Sequence, residues 1–85
     1  MALVVLPSVL AREAGGRTRF ELEAATVGEA LRGLPVADLV LDERGDLRRL
    51  VNVYVDGVDA RERGGLDAPL TGGETVRLVG AIAGG

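Results

Sequence analysis

The last six residues, Gly80-Ala81-Ile82-Ala83-Gly84-Gly85, carry no charged side chain, so the reactive group at this end is the terminal carboxylate. It is ionised at neutral pH, because the ordinary pKa of a C-terminal carboxyl group is about 3.3–3.7. An anionic carboxylate resists nucleophiles, and its oxygen is a poor leaving group. Transfer of an AMP group from ATP removes both obstacles, after which a sulfur, thiol or amine nucleophile can attack the carbonyl carbon.

The residues before that carboxylate suit insertion into a narrow channel on another protein. Glycine has no Cβ, so Gly84 and Gly85 leave the carbonyl carbon open to attack. We predict that Gly85 is the residue to be adenylated. The residues predicted to thread into the partner are Ala81, Ile82, Ala83 and Gly84. Whether Gly85 is the natural terminus or is exposed by trimming of a precursor stays open.

A diglycine is by itself a weak signal in this chain, which contains 13 glycines. Other pairs stand at residues 15–16, 64–65 and 72–73, between predicted strands, where turns use them. The pair at 84–85 differs because it follows a completed strand and an uncharged lead-in. Its position therefore supports a functional interpretation more strongly than the dipeptide does.

The rest of the chain lacks the residue types that most enzymes use. It contains no cysteine and no histidine, and all ten basic residues are arginine, so lysine is absent as well. Thiolate metal sites, Schiff bases and the commonest general base are therefore excluded. We expect no catalytic residue, no metal site and no bound cofactor, and we expect a separate enzyme to supply the catalytic groups.

Charge and hydropathy restrict the partners and the location. Thirteen acidic and ten basic residues give a net charge of −3, which argues against nucleic acid or an anionic membrane surface as the partner. The apolar run at 2–6 is too short to span a membrane, and no basic residue precedes it as in a signal peptide. We therefore expect a cytoplasmic protein.

Hydrophobic patterning predicts two strands and a helix in the first half. Ala2–Leu6 is continuously apolar and predicts a strand covered on both faces, near the middle of a sheet. Arg17–Glu23 alternates between apolar and charged residues, as a half-buried strand does. A capping box then begins a helix, with the Thr26 hydroxyl accepting from the Glu29 N–H and the Glu29 carboxylate accepting from the Thr26 N–H. An apolar stripe at 27, 30, 31 and 34 continues that helix until Pro35.

The second half predicts three strands. Val51–Val55 is β-branched and alternating, with its odd-numbered residues facing the core. Asp56-Gly57 predicts a tight hairpin into a strand at Val58–Arg61. Thr75–Val79 predicts the last strand, and residues 36–50 predict a short helix before the polar stretch at 42–46.

This order predicts an α+β fold, a roll in which a mixed sheet of four or five strands packs on one main helix. Residues 1–79 form the single domain, and residues 80–85 form a flexible C-terminal tail. Phe20 and Tyr54 are the aromatic residues of the chain, so the core is expected to be aliphatic.

Other polar features are interpreted as structural. Asp59 and Arg61 are expected to pair with each other at the surface. The cluster of Arg44, Arg48 and Arg49 stands among acidic residues and predicts a solvated face, with a partner-docking patch as the alternative.

The chain resembles the small sulfur-carrier proteins of the MoaD/ThiS family over nearly its whole length. The resemblance is carried by the opening strand that ends at Pro7, the segments Val51-Asn52-Val53-Tyr54-Val55 and Gly64-Gly65-Leu66-Asp67, the pair Gly73-Glu74 and the closing Ala83-Gly84-Gly85. Within the family the chain resembles the MoaD-like carriers of cysteine biosynthesis in actinobacteria. The resemblance implies the β-grasp, ubiquitin-like fold.

The resemblance also implies a function. An E1-like enzyme would use ATP to adenylate Gly85, sulfur would be added as a thiocarboxylate, and a sulfur-accepting synthase would use the product. The destination stays open among cysteine, molybdopterin, thiazole and a natural product. Two alternatives are a ubiquitin-like modifier joined to target lysines through Gly85 and a β-grasp domain that binds partners non-covalently. A free-standing enzyme ranks last.

Overall fold

Five strands form one mixed sheet in a computed structural model of the chain, which describes residues 1–80. The strands are β1 (Ala2–Val5), β2 (Arg19–Leu22), β3 (Val51–Val55), β4 (Val58–Asp59) and β5 (Thr75–Gly80). The helices are α1 (Ser8–Ala11), α2 (Val27–Arg32) and α3 (Ala37–Val40), with 3₁₀ turns at residues 12–14, 60–63 and 65–67. None of the helices in this range is long and apolar enough to cross a membrane.

The order of the strands across the sheet is β2-β1-β5-β3-β4. β1 runs antiparallel to β2 and parallel to β5, and β3 runs antiparallel to both β5 and β4. The predicted α+β architecture with a mixed sheet is confirmed, and the number of strands is five. This order places the last strand of the described chain at the centre of the sheet.

Alternating burial shows that helices cover one face of the sheet. On β1, Ala2 and Val4 are buried, whereas Leu3 and Val5 are only half-buried. The prediction that this strand is covered on both faces was therefore wrong, although its place inside the sheet is confirmed. A continuously apolar run misled because half-exposed Leu and Val are common on the open face of a sheet.

The core is aliphatic, as predicted. Phe20 is the aromatic residue that contributes to it, at 7% exposure. The most deeply buried large side chains are Leu31, Leu78, Val4, Val27, Val36, Val40, Val53, Val55 and Val76. They come from α2, from the segment around α3 and from the three inner strands, so one cluster joins every layer of the domain.

The hairpin between β3 and β4 forms at the predicted turn. Asp56 has φ 49° and Gly57 has φ 85°, the left-handed pair that a two-residue hairpin turn requires. β4 ends at Asp59, so the predicted continuation of the strand to Arg61 was wrong. The Asp59 carboxylate accepts a hydrogen bond from the Arg61 N–H at 2.9 Å and thereby begins a 3₁₀ turn instead.

The start of α2 confirms one half of the predicted capping box. The Glu29 N–H donates to the Thr26 hydroxyl oxygen at 3.2 Å. The carboxylate of Glu29 accepts from the Ala25 N–H at 3.0 Å, so the predicted bond from the Thr26 N–H was wrong by one residue. The Thr26 side chain still satisfies a donor that the helix leaves without a partner in its first turn.

Replacement of Thr26 with alanine is expected to lower the free energy of unfolding by about 1 kcal/mol, because the cap is lost. Urea denaturation at pH 7 measures the change, with Thr18→Ala as the control because Thr18 is exposed and lies outside the helices and strands. Equal midpoints for the two variants would show that the cap contributes nothing.

Candidate functional site

The predicted reactive residue, Gly85, lies outside the residues that the structure describes. The same holds for the predicted threading residues, which are Ala81, Ile82, Ala83 and Gly84. The described chain reaches Gly80, which is the last residue of β5 and extends that strand one residue past its predicted end. The division into a domain of residues 1–79 and a tail of residues 80–85 stays a prediction.

The strand that leads to the tail is paired on both sides. Val76 lies beside Val4 of β1 and Val55 of β3, and Gly80 lies opposite Val51 at the other end of β3. Ladder hydrogen bonds on two sides fix the first half of β5, where β1 pairs with residues 75–77, and pairing with β3 alone continues to Gly80. The domain therefore sets the position and the direction of the backbone up to Gly80.

The beginning of β5 is fixed by the carboxylate of Glu74. One of its oxygens accepts from the Thr71 N–H at 2.8 Å and the Thr71 hydroxyl at 3.0 Å, and the other accepts from the Gly72 N–H at 2.8 Å. These hydrogen bonds, above all the one from the Thr71 N–H, lower the pKa of Glu74 to about 2. The turn before the strand is therefore held by a charged group.

Stability is expected to depend on pH through Glu74. Its pKa in the folded chain is about 2, below the ordinary value of 4.5, so its contribution is complete above pH 4.5 and is lost as the pH falls toward 2. The difference in urea midpoint between the wild type and Glu74→Gln should therefore be largest at pH 7 and shrink in acid. The control is Glu62→Gln, since Glu62 is exposed and accepts no side-chain hydrogen bond within residues 1–80. If the urea midpoints of the wild type and Glu74→Gln differ by the same amount at pH 7 and at pH 3, this role of Glu74 is contradicted.

The segment before β3 is a hydrogen-bonded loop at residues 41–50. One Asp42 carboxylate oxygen accepts from the Asp46 N–H at 3.0 Å and the Arg44 N–H at 2.9 Å, and these bonds, above all the one from Asp46, lower the pKa of Asp42. The Arg48 N–H donates to the Val40 carbonyl at 2.9 Å and so ties the loop to α3. The predicted short helix is confirmed as α3, but Leu47 lies outside it and forms a β-bridge with Leu41.

A groove of about 670 Å³ opens between this loop and the end of β5. We call it the tail-root groove, and its lining residues are Leu10, Leu39, Asp42, Leu47, Arg48, Arg49, Leu50, Val51 and Gly80. Sequence reasoning missed this feature. The alternation that puts Val51 in the core predicts that its neighbour Leu50 faces away from it, and that signal was available.

The other polar residues singled out in the sequence have structural partners or lie at the surface. Asp59 and Arg61 form the predicted ion pair at 2.7 Å, and the hydrogen bond from the Arg61 side chain lowers the pKa of the Asp59 carboxyl group. Arg44, Arg48 and Arg49 are exposed. Within residues 1–80 the acidic side chains form no group of three or more that could hold a metal ion.

The sequence of the chain matches a known protein family. The family model described as ThiS family matches residues 4–85, which includes all of the sheet from Val4 onward and the terminal diglycine. The chain belongs to the ThiS family. The resemblance predicted from the sequence is thereby confirmed.

Individual relatives agree with the ThiS assignment. The protein named sulfur carrier protein CysO from Mycobacterium tuberculosis (strain ATCC 25618 / H37Rv) is 32% identical over 89 residues, which cover 96% of both chains. The crystal structure of Mycobacterium tuberculosis CysO superposes with a TM-score of 0.86 at 27% identity, over 96% of this chain and 100% of that one.

Two further structures extend the comparison. In the crystal structure of the Amycolatopsis orientalis BexX/CysO complex, the matching chain superposes with a TM-score of 0.84 at 32% identity over the full length of both chains. SAMP1 from Haloferax volcanii superposes with a TM-score of 0.75 at 30% identity, over 99% of this chain and 98% of that one. The predicted β-grasp, ubiquitin-like fold is thus confirmed for this ThiS-family chain.

Proposed function

We propose that this ThiS-family chain is a sulfur carrier whose Gly85 carboxylate is adenylated by an E1-like enzyme and converted to a thiocarboxylate. The thiocarboxylate then donates its sulfur to a biosynthetic enzyme. The observation that carries the proposal is the family match through residue 85, which joins the terminal diglycine to a β-grasp domain. The curated relative that bears the name sulfur carrier protein supports it over 96% of the chain.

The proposed chemistry balances at every step. The carboxylate oxygen attacks the α-phosphorus of ATP, which releases pyrophosphate and leaves an acyl adenylate. Sulfide (HS⁻) from the sulfur donor then attacks the carbonyl carbon and AMP departs, which leaves the thiocarboxylate once the proton is lost. To pass the sulfur on, the thiocarboxylate attacks the acceptor and displaces its leaving group. Water then hydrolyses the resulting thioester, which returns the Gly85 carboxylate and leaves the sulfur on the product as a thiol.

The chain's part in these steps is that of a protein cosubstrate. Without histidine, cysteine or lysine it has no nucleophile–base pair of the usual kind, so the enzyme partner supplies the catalytic groups and binds the ATP. The strand that ends at Gly80, just before the tail in the sequence, lies at the centre of the sheet. Because ATP is consumed, we place the reaction in the cytoplasm.

The absence of cysteine makes the proposal directly measurable. The chain has no thiol, so the sulfur of a thiocarboxylate is the one site at which a thiol-specific alkylating dye can react. The chain is incubated with ATP, an E1-like enzyme and a sulfide source, then with the dye, and its intact mass is recorded. In the expected product, sulfur replaces one oxygen of the chain and one dye molecule is attached to that sulfur. Its formation requires ATP.

Failure to form that product with several E1-like enzymes, each active on its own ThiS-family carrier, would contradict the proposal. The matched control is the chain with one residue appended after Gly85. A domain that only binds partners non-covalently would still bind them with the extension in place. A carrier would lose dye labelling, because Gly85 no longer has a free carboxylate.

A second candidate function is favoured by the similarity to SAMP1, a small archaeal modifier protein. In that case the activated Gly85 forms an amide with a lysine of a target protein and AMP leaves. This chain has no lysine, so its own side chains cannot accept a second copy. Trypsin cleaves after Arg77, and a modifier would therefore leave residues 78–85 attached to target lysines. Recovery of such branched peptides from cells, absent when Gly85 is deleted, would support this function.

A further inference from the structure

The tail-root groove lies where the described chain ends, and its position constrains what can dock there. Residues 81–85 span at most about 18 Å when fully extended. An enzyme that acts on Gly85 must therefore bring its active site within that distance of Gly80. The enzyme surface around the entrance to its active site has to contact the part of the domain next to Gly80. The groove lies in that part of the domain.

The groove presents two exposed leucines on a fixed support. Leu50 is 58% exposed and Leu39 is 41% exposed. One exposed leucine is ordinary, but these two line the same groove beside the predicted functional tail. The loop that carries Leu50 is held by hydrogen bonds at Asp42 and from Arg48 to Val40. Little ordering of the loop backbone remains for a partner to impose, which favours docking.

The groove also carries positive charge in an acidic protein. Arg48 and Arg49 line it, and within residues 1–80 neither forms an ion pair within 4.0 Å. Asp42 also lines the groove, so two arginines against one aspartate give its lining a net charge of +1. In a chain with a net charge of −3, this local positive charge suits carboxylates on the partner.

We propose that the tail-root groove is the docking site for the E1-like activating enzyme, which fills it with an apolar ridge flanked by carboxylates. This inference rests on the proposed function. The activating enzyme is the partner to which we commit because the anionic carboxylate must be adenylated whichever acceptor later takes the sulfur. Leu39 and Leu50 supply the apolar contact, and Arg48 and Arg49 orient the enzyme by charge.

Pyrophosphate exchange into ATP tests the groove, with the carrier as the varied substrate and the E1-like enzyme that labels the wild-type chain as the probe. Leu50→Glu and Arg49→Glu are each expected to raise the KM for the carrier by at least about tenfold, as loss of an interface anchor does. Their kcat should change by less than about twofold, because the tail is intact. Matched controls are Val58→Glu and Arg63→Glu. Val58 lies on β4 beside Val55, the end of β3 that is far from Gly80, and Arg63 does not line the groove. Both should keep the wild-type KM, and thermal melts should show that all four variants fold.

Each other outcome overturns the inference in a recognisable way. No exchange with the wild-type chain contradicts the proposed function itself. Exchange with the same KM for the groove variants and the controls contradicts the groove alone. A lower KM for Leu50→Glu would show that the chain's own tail occupies the groove. If the wild type is a dimer, and Leu50→Glu dissociates it without changing the KM, a second copy of the chain occupies the groove.

Discussion

Deletion of Gly85 is expected to lower the rate of thiocarboxylate formation by at least about 100-fold. The deletion withdraws the terminal carboxylate by one residue, about 3.3–3.6 Å along an extended chain. Displacement of a reacting group by about 1 Å can already cost about 100-fold in rate. Dye labelling measured against time, with saturating ATP and enzyme, gives the rate for each variant.

The matched control for that deletion is Ala83→Gly, which keeps the length of the chain and its terminal diglycine. Its rate should stay within a few-fold of the wild type. The shortened chain should also inhibit the wild-type reaction competitively, because its domain and groove are unchanged. Labelling of the shortened chain at the wild-type rate would contradict the requirement for a carboxylate at residue 85.

Replacement of Leu31 with alanine is expected to lower the free energy of unfolding by about 3 kcal/mol, within the range of about 2–5 for a buried leucine. Leu31 is fully buried on α2 and belongs to the cluster that joins the helix to the sheet. A domain of 85 residues has a total stability of roughly 4–13 kcal/mol, so the loss is a large part of it. Urea denaturation at pH 7 measures the change.

Leu50→Ala is the matched control for Leu31→Ala, because the same side chain is removed from a site that is 58% exposed. Its effect should stay within about 0.5 kcal/mol. A loss below about 1 kcal/mol for Leu31→Ala would contradict the packing of α2 against the sheet, since burial is the main source of the effect.

Local pattern was enough to predict most elements of this fold. The alternation in Val51–Val55 predicted both the strand and its buried face, and Asp56-Gly57 predicted the hairpin. The errors arose where side chains and backbone compete within a few residues. The Asp59 carboxylate captures the Arg61 N–H and turns the chain, so a short apolar pattern did not continue as a strand. Glu29 accepts from Ala25, which no spacing rule distinguishes from Thr26.

The chemistry of the candidate site rests on the sequence, whereas its surroundings required the structure. Composition and the terminal diglycine predict Gly85 as the reactive residue, because the absence of histidine, cysteine and lysine leaves few other reactive groups. Gly85 lies outside the described residues, so this stays a prediction. The tail-root groove depends on the pairing of Gly80 with Val51, which brings residues 29 positions apart in the sequence side by side. Such non-local pairing is set by the whole sheet, so the sequence did not reveal that Leu39 and Leu50 line one groove at the tail.

Localisation of the sulfur on the chain tests the central claim most directly. The wild-type chain is treated with ATP, the activating enzyme, sulfide and the thiol-specific dye, then cleaved with trypsin, which releases residues 78–85 as one peptide because Arg77 is the last basic residue. Fragmentation of that peptide is predicted to place the dye on the carboxyl group of Gly85. Dye on any other peptide, or on residues 78–84, would contradict the claim that the terminal carboxylate is the working group.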